Sequence, residues 1–136
     1  MNYNIHKIGG ILLKDKKLLV SRTRGKDFFV APGGKVEKGE TLEEALIREL
    51  EEELGITVDK NKLKKLETFY APAAGEEENM LRMDVFIVED WSGEIKPASE
   101  VEEIQWIDSN YPKEMKIGSI FQHEVIPKLK NISLIE

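Results

Sequence analysis

The sequence contains no cysteine. That absence rules out disulfide bridges, thiol nucleophiles and cysteine-bound metals, and it suits a cytoplasmic setting. No apolar run approaches the roughly 20 residues that a bilayer-spanning helix needs. Met1 to Lys7 is polar and passes into a strand-like stretch, so no signal peptide is expected. Basic residues are also outnumbered: 20 Lys and Arg face 26 Asp and Glu, for a net charge of −6. A surface that grips polymeric nucleic acid is basic, so DNA or RNA is not an expected partner. What is present, 136 residues of which 40% are hydrophobic, is enough for a folded core. Without repeats, linkers or low-complexity tracts, residues 1–136 read as one domain.

Ile8 to Leu13 and Lys17 to Ser21 read as strands joined by a charged turn at Lys14–Lys16. Phe28-Phe29-Val30 is a short apolar run that stops at Pro32, and Pro32-Gly33-Gly34 is loop chemistry. Thr41 followed by Glu44 is a capping-box pattern, which predicts a helix from there to about Leu54 with Gly55 as its stop. Leu66 to Ala71 and Leu81 to Val88 read as further strands, with Ala71 to Glu78 as the loop between them. Ile104 to Ile107 reads as a short strand and Ser119 to Lys130 as a final helix, its end blurred by Pro127. Strands and helices in this order indicate an α/β fold, a mixed sheet with helices packed on its faces.

The charge is concentrated. Between Gly34 and Gly55 there are eight acidic residues and three basic ones. On a helical wheel Leu46, Ile47, Leu50 and Leu54 make an apolar face, while Glu44 and Glu51 project to solvent. Arg48, Glu49, Glu52 and Glu53 fall within an arc of about 140°. Leu42 and Ala45 share that arc, so it borders protein rather than only water. Three carboxylates with one arginine between them repel one another unless a positive charge sits among them. A hard divalent cation with oxygen ligands is the natural remedy. Gly33 and Gly34 let the backbone approach a ligand, their carbonyls are candidate metal ligands, and the helix N-terminus beyond them favours phosphate. Chemistry alone thus suggests a magnesium–phosphate site.

This segment resembles the signature of the Nudix hydrolases: Gly34, Glu40, Arg48, Glu49, Leu50, Glu52, Glu53, Gly55 and Ile56 fill every defined position over 23 residues. So many fixed residue types make the pattern far more specific than a lone glycine-rich loop. The resemblance implies an α/β/α sandwich with a mixed β-sheet and a loop–helix–loop catalytic motif. It implies a pyrophosphohydrolase that uses water to cleave a phosphoanhydride bond in a nucleoside diphosphate linked to another moiety, nucleoside triphosphates included. The implied cofactor is Mg2+, with Mn2+ able to substitute, and the implied partner is a small nucleotide, with neither membrane nor polymeric nucleic acid. By resemblance Glu49, Glu52 and Glu53 are metal-binding carboxylates, and the Gly34 carbonyl is a further ligand. In some members the position of Glu49 is instead the general base. Arg48 resembles the residue that holds the catalytic glutamates, and Glu40 an auxiliary carboxylate.

Outside the box the resemblance singles out Glu100, in the run Glu100 to Trp106, as one more metal ligand; the alternative is a solvated acidic turn. Arg22 and Arg24 end the second strand near the box, where either could bind a substrate phosphate or be an ordinary surface charge. Gln122 and His123 stand where some relatives read a base, but a lone histidine is more often structural. Phe69, Tyr70, Phe86 and Trp91 could stack on a base, although core or rim packing is the plainer reading for each. Met80 and Met83 read as strand packing. Two rivals to the enzyme are a binding module that kept the fold but lost turnover, and a purely structural acidic helix. The first should have lost box glutamates, and the second makes the spacing an accident. No accessory motif selects a substrate. The absence of an additional domain favours the MutT-like, triphosphate-cleaving type by analogy.

Overall fold

A computed structural model describes residues 2–73 and 76–136, with only the backbone of Glu76 and Glu77. Among the described residues, seven strands form two sheets. The strands are β1 (Ile5–Ile11), β2 (Leu13–Lys14), β3 (Lys17–Thr23), β4 (Gly33–Lys35), β5 (Leu63–Ala73), β6 (Glu76–Val88) and β7 (Val101–Ile107). The first sheet has the order β4-β1-β6-β5; β1 and β6 run parallel and its other pairs antiparallel. The second sheet, β2-β3-β7, is antiparallel.

Strand alternation sorts side chains to the two faces. From β1 and β6, Ile8, Phe86 and Val88 pack with Ala45, Leu46, Leu50 and Leu54 of helix α1 (Leu42–Leu54). The intervening Ile11, Met83 and Val85 join Phe121, Val125, Ile126 and Leu129 of the C-terminal helical segment. The result is the expected α/β/α arrangement with a mixed sheet. Among the described residues, no helix is long and apolar enough to cross a membrane.

Helix α1 begins as its local chemistry predicts. The Thr41 hydroxyl accepts the Glu44 N–H at 3.1 Å, and the Glu44 carboxylate accepts the Thr41 N–H at 2.9 Å. It ends on Gly55 at φ 70°, ψ 20°, the left-handed conformation that glycine adopts without Cβ strain. Ile47 is only half-buried, at the margin of the apolar face.

Several boundaries differ from expectation. The first strand starts at Ile5, and Leu13 belongs to β2. The loop expected at Ala71–Glu78 is mostly strand, because β5 continues to Ala73 and β6 begins at Glu76; Ala74 and Gly75 lie outside the described residues. Backbone pairing carries this hairpin beyond the apolar pattern, with Pro72 opposite Met80. Pro72 is tolerated because β5 is the edge strand, where a missing N–H costs the ladder little. Pro127 does not end the final helix. A π turn at Phe121–Val125, closed by the Ile126 N–H on the Phe121 carbonyl, leads into α2 (Ile126–Asn131). The widened turn relieves the ring's clash with the carbonyl four residues back.

Candidate active site

Helix α1 turns Glu49 and Glu53, one turn apart, toward Gly33 and Gly34 of β4. Both are buried, at 9% and 6% exposure. Glu100, just before β7, approaches from the other side and is exposed. One carboxylate oxygen from each of the three lies within 4.8 Å of the others. The Gly33 N–H donates to the Glu53 carboxylate at 2.9 Å. Gly34 is required by contact: a Cβ there would stand 2.7 Å from the Glu49 carboxyl group. The missing side chain that suggested access for a ligand also makes room for a glutamate.

Arg48 organises the outer side. Its guanidinium donates to both oxygens of Glu40 at 2.7 and 3.0 Å, to Glu49 at 2.7 Å and to the Lys35 carbonyl at 3.1 Å. These bonds tie the loop before α1 to the helix and hold one oxygen of Glu49. Glu52 is half-exposed, its carboxylate 3.5 Å from Arg48, and it lies outside the three-carboxylate group.

The titration of these groups follows their surroundings. The Arg48 hydrogen bonds pull Glu40 down to about 2, and the Glu40 carboxylate holds the guanidinium more firmly protonated. Burial raises Glu49, with Arg48 opposing it and Glu52 and Glu100 adding repulsion. Burial also pushes Glu53 up to about 8; the Gly33 N–H opposes this, while Glu49, Glu100 and Glu52 add to it. Glu100 is lowered, chiefly by the Ser99 hydroxyl and its own backbone N–H. Three converging carboxylate oxygens, two of them on groups whose burial resists ionisation, suit a hard divalent ion.

The carboxylates line a cavity of about 460 Å³ whose wall also includes Gly33, Gly34, Lys7, Lys26 and Lys35 and the apolar side chains of Phe28, Met83 and Phe121. The two arginines singled out from the sequence are not in that wall. Arg22 donates to Glu103 at 3.0 Å and to the Lys26 carbonyl at 3.1 Å. The Arg24 side chain is exposed and 3.5 Å from Glu102, although its backbone N–H holds the Glu100 carbonyl at 2.7 Å. Gln122 and His123 are exposed and outside the wall, which their neighbours Ser119 and Phe121 occupy. Phe69 and Phe86 are core, Tyr70 lies beside Tyr3, and Trp91 lines a separate smaller cavity with Trp106. Met83 packs in the core and also forms cavity floor. Sequence reading missed the lysines; for Lys7 the signal was its phase with Gly9 and Ile11 on β1.

Comparison with known proteins agrees with this geometry. The NUDIX domain family matches residues 6–129, and the chain belongs to the Nudix family. It is thus a Nudix hydrolase, which cleaves a phosphoanhydride bond in a nucleoside diphosphate linked to another group; the family generally depends on divalent metal. An ADP-ribose pyrophosphatase of Methanocaldococcus jannaschii is 35% identical over 125 residues, covering 89% of this chain and 69% of that one. The 8-oxo-dGTP diphosphatase of Escherichia coli is 36% identical over 93 residues, 64% of this chain and 67% of that one. A MutT structure from a study of the Aliivibrio salmonicida and Vibrio cholerae proteins superposes with a TM-score of 0.73 at 26% identity, covering 94% of this chain and 98% of that one.

Proposed function

We propose that the protein is a magnesium-dependent, MutT-like pyrophosphohydrolase of nucleoside triphosphates, active with manganese as well, and that residues 1–136 act as one cytoplasmic domain. The observation that carries this reading is the meeting of Glu49, Glu53 and Glu100 in the wall of a nucleotide-sized cavity. Those three, with Glu52 at the solvent side and the Gly34 carbonyl, would hold the cation. Bound there, it would supply charge neutralisation at the phosphate oxygens and acidify the attacking water.

The chain's own residues do the rest. Arg48 and Glu40 lock the helix to its loop and fix the reach of Glu49. The Gly33 N–H fixes one oxygen of Glu53. Either Glu49 or Glu53 would take the proton as water attacks phosphorus. The water oxygen forms one P–O bond, the bridging P–O bond breaks, and its electrons leave with the departing phosphate.

The test is a nucleotide panel with magnesium and with excess EDTA, products identified. A triphosphate should give nucleoside monophosphate and pyrophosphate, and EDTA should abolish turnover. The relationship to an ADP-ribose pyrophosphatase supports a second reading. Nucleoside monophosphate with ribose 5-phosphate as the preferred products would establish it in place of the first.

A further inference from the structure

Among the described residues, four that are not glycine have a left-handed backbone: Asp15, Lys16, Ser99 and Ser133. That conformation crowds a Cβ and persists where the surroundings impose it. Asp15 and Lys16 make the turn between β2 and β3, and Ser133 lies just beyond α2. Ser99, at φ 55°, instead stands directly before the site carboxylate Glu100.

The segment leading to Ser99 is fastened to the end of α1. The last carbonyls of a helix have no partner within it. Here the Lys96 N–H donates to the Leu54 carbonyl at 3.0 Å, and the Ala98 N–H to the Glu53 carbonyl at 2.9 Å. Pro97, which has no N–H to give, falls between them. Glu53 thus offers a carboxylate to the site with its side chain and anchors the Glu100 segment with its backbone. The chain then turns: the Val101 N–H closes on the Ala98 carbonyl at 3.1 Å, with Ser99 and Glu100 at the central positions. A left-handed residue at the first of these is usually Gly, Asn or Asp. Serine adds a hydroxyl, which donates to the Glu100 carboxylate. Beyond the turn, the Arg24 N–H holds the Glu100 carbonyl at 2.7 Å. Resting on the cation placement proposed above, we propose that Ser99 is a positioning residue. Its backbone turns Glu100 toward Glu49 and Glu53, and its hydroxyl steadies the Glu100 carboxylate for a divalent cation.

The experiment titrates Mn2+ into the protein without nucleotide, reads free Mn2+ by electron paramagnetic resonance, and records melting curves of the metal-free proteins. Glu53→Gln and Glu100→Gln are the references, and both should weaken binding. Ser99→Ala should weaken it about tenfold, the low end for a group that orients a ligand, because this hydrogen bond is exposed. Ser99→Gly should weaken it at least as much. Glycine accepts the left-handed backbone, so that variant should melt close to wild type without metal. Ser99→Asn tolerates the same backbone and keeps a donor, so it should bind Mn2+ more tightly than Ser99→Ala. Added to Glu100→Gln, Ser99→Ala should have no further effect. Wild-type affinity in Ser99→Ala and Ser99→Gly would overturn the inference and leave the cation placement standing. An undiminished loss in the Glu100→Gln background would also overturn it, as would losses that merely follow a lower melting temperature. Normal binding in Glu100→Gln alone would remove Glu100 and the inference together. Normal binding in Glu53→Gln would sink the cation placement itself, and the role of Ser99 with it.

Discussion

Asp84 is wholly buried and Glu53 nearly so, yet their surroundings push them opposite ways. Burial would raise Asp84, but hydrogen bonds from Thr68, His6, Lys65 and Arg82 outweigh it and hold the carboxyl well below the usual range. Lys65 and Arg82 stand 2.9 and 3.1 Å away. Glu53 has one backbone N–H and two neighbouring carboxylates, and it is pushed up to about 8. A buried acid with its cations supplied is a structural tie, here joining β1, β5 and β6. One set among other carboxylates is of the kind that marks candidate functional sites.

Removing one carboxylate from each cluster should break the comparison in opposite directions. Glu53→Gln should cost at least ~10²-fold in kcat and leave the fold intact. Glu52→Gln, from the half-exposed position, should also reduce kcat, and by less than Glu53→Gln. Steady-state kinetics with magnesium checks both; near-normal kcat in Glu53→Gln would remove it from the site. Asp84→Asn should do the reverse. It leaves Lys65 and Arg82 facing a neutral amide and should destabilise by about 3 kcal/mol, judged from the cost of breaking buried pairs. Denaturant unfolding measures that loss, and the magnesium dependence of kcat should be unchanged.

A pH series sharpens the contrast. The ordinary value for a glutamate is 4.5 and Glu53 stands at about 8 in the folded, metal-free chain. The folded state therefore keeps a proton that the unfolded chain releases. Between those two values this group's contribution to metal-free stability falls as pH rises. Magnesium must displace that proton, so its stabilising effect should grow from pH 6 to pH 8. In Glu53→Gln the pH-dependent loss should flatten and the gain from magnesium should shrink, both visible in melting curves. Equal gains in the two proteins would put the ion elsewhere. The smallest effect belongs to Glu51→Gln. Glu51 is exposed on the opposite side of α1, and its replacement should change stability by no more than about 0.5 kcal/mol and leave kcat as it is.

Local chemistry made α1 readable in advance. A capping box, an apolar stripe and a left-handed glycine act within a few residues of one another, so Thr41, Glu44, Leu50 and Gly55 behave in the folded chain as they do on paper. The spacing of Gly34, Arg48, Glu49 and Glu53 is local in the same sense, and the resemblance to the Nudix signature rested on it. Strand interiors were legible from alternation. The outer parts of β5 and β6 were not, because pairing with a neighbour rather than burial sustains them.

The tertiary structure decided what lies between distant segments. The helical wheel placed Glu49, Glu52 and Glu53 on one arc, but packing against β4 buries two of them and leaves the third half-exposed. Glu100 reaches Glu49 and Glu53 because β7 pairs with β3, and the Arg24 N–H just past β3 holds the Glu100 carbonyl. Arg22 of β3 and Arg24 just beyond it turn to Glu103 and Glu102, while Lys7 and Lys35 line the cavity as register partners of β1 and β4. A helical period relates residues three and four apart. Which carboxylate meets which cation across 50 or more positions depends on how sheets and helices stack, and no local rule contains that.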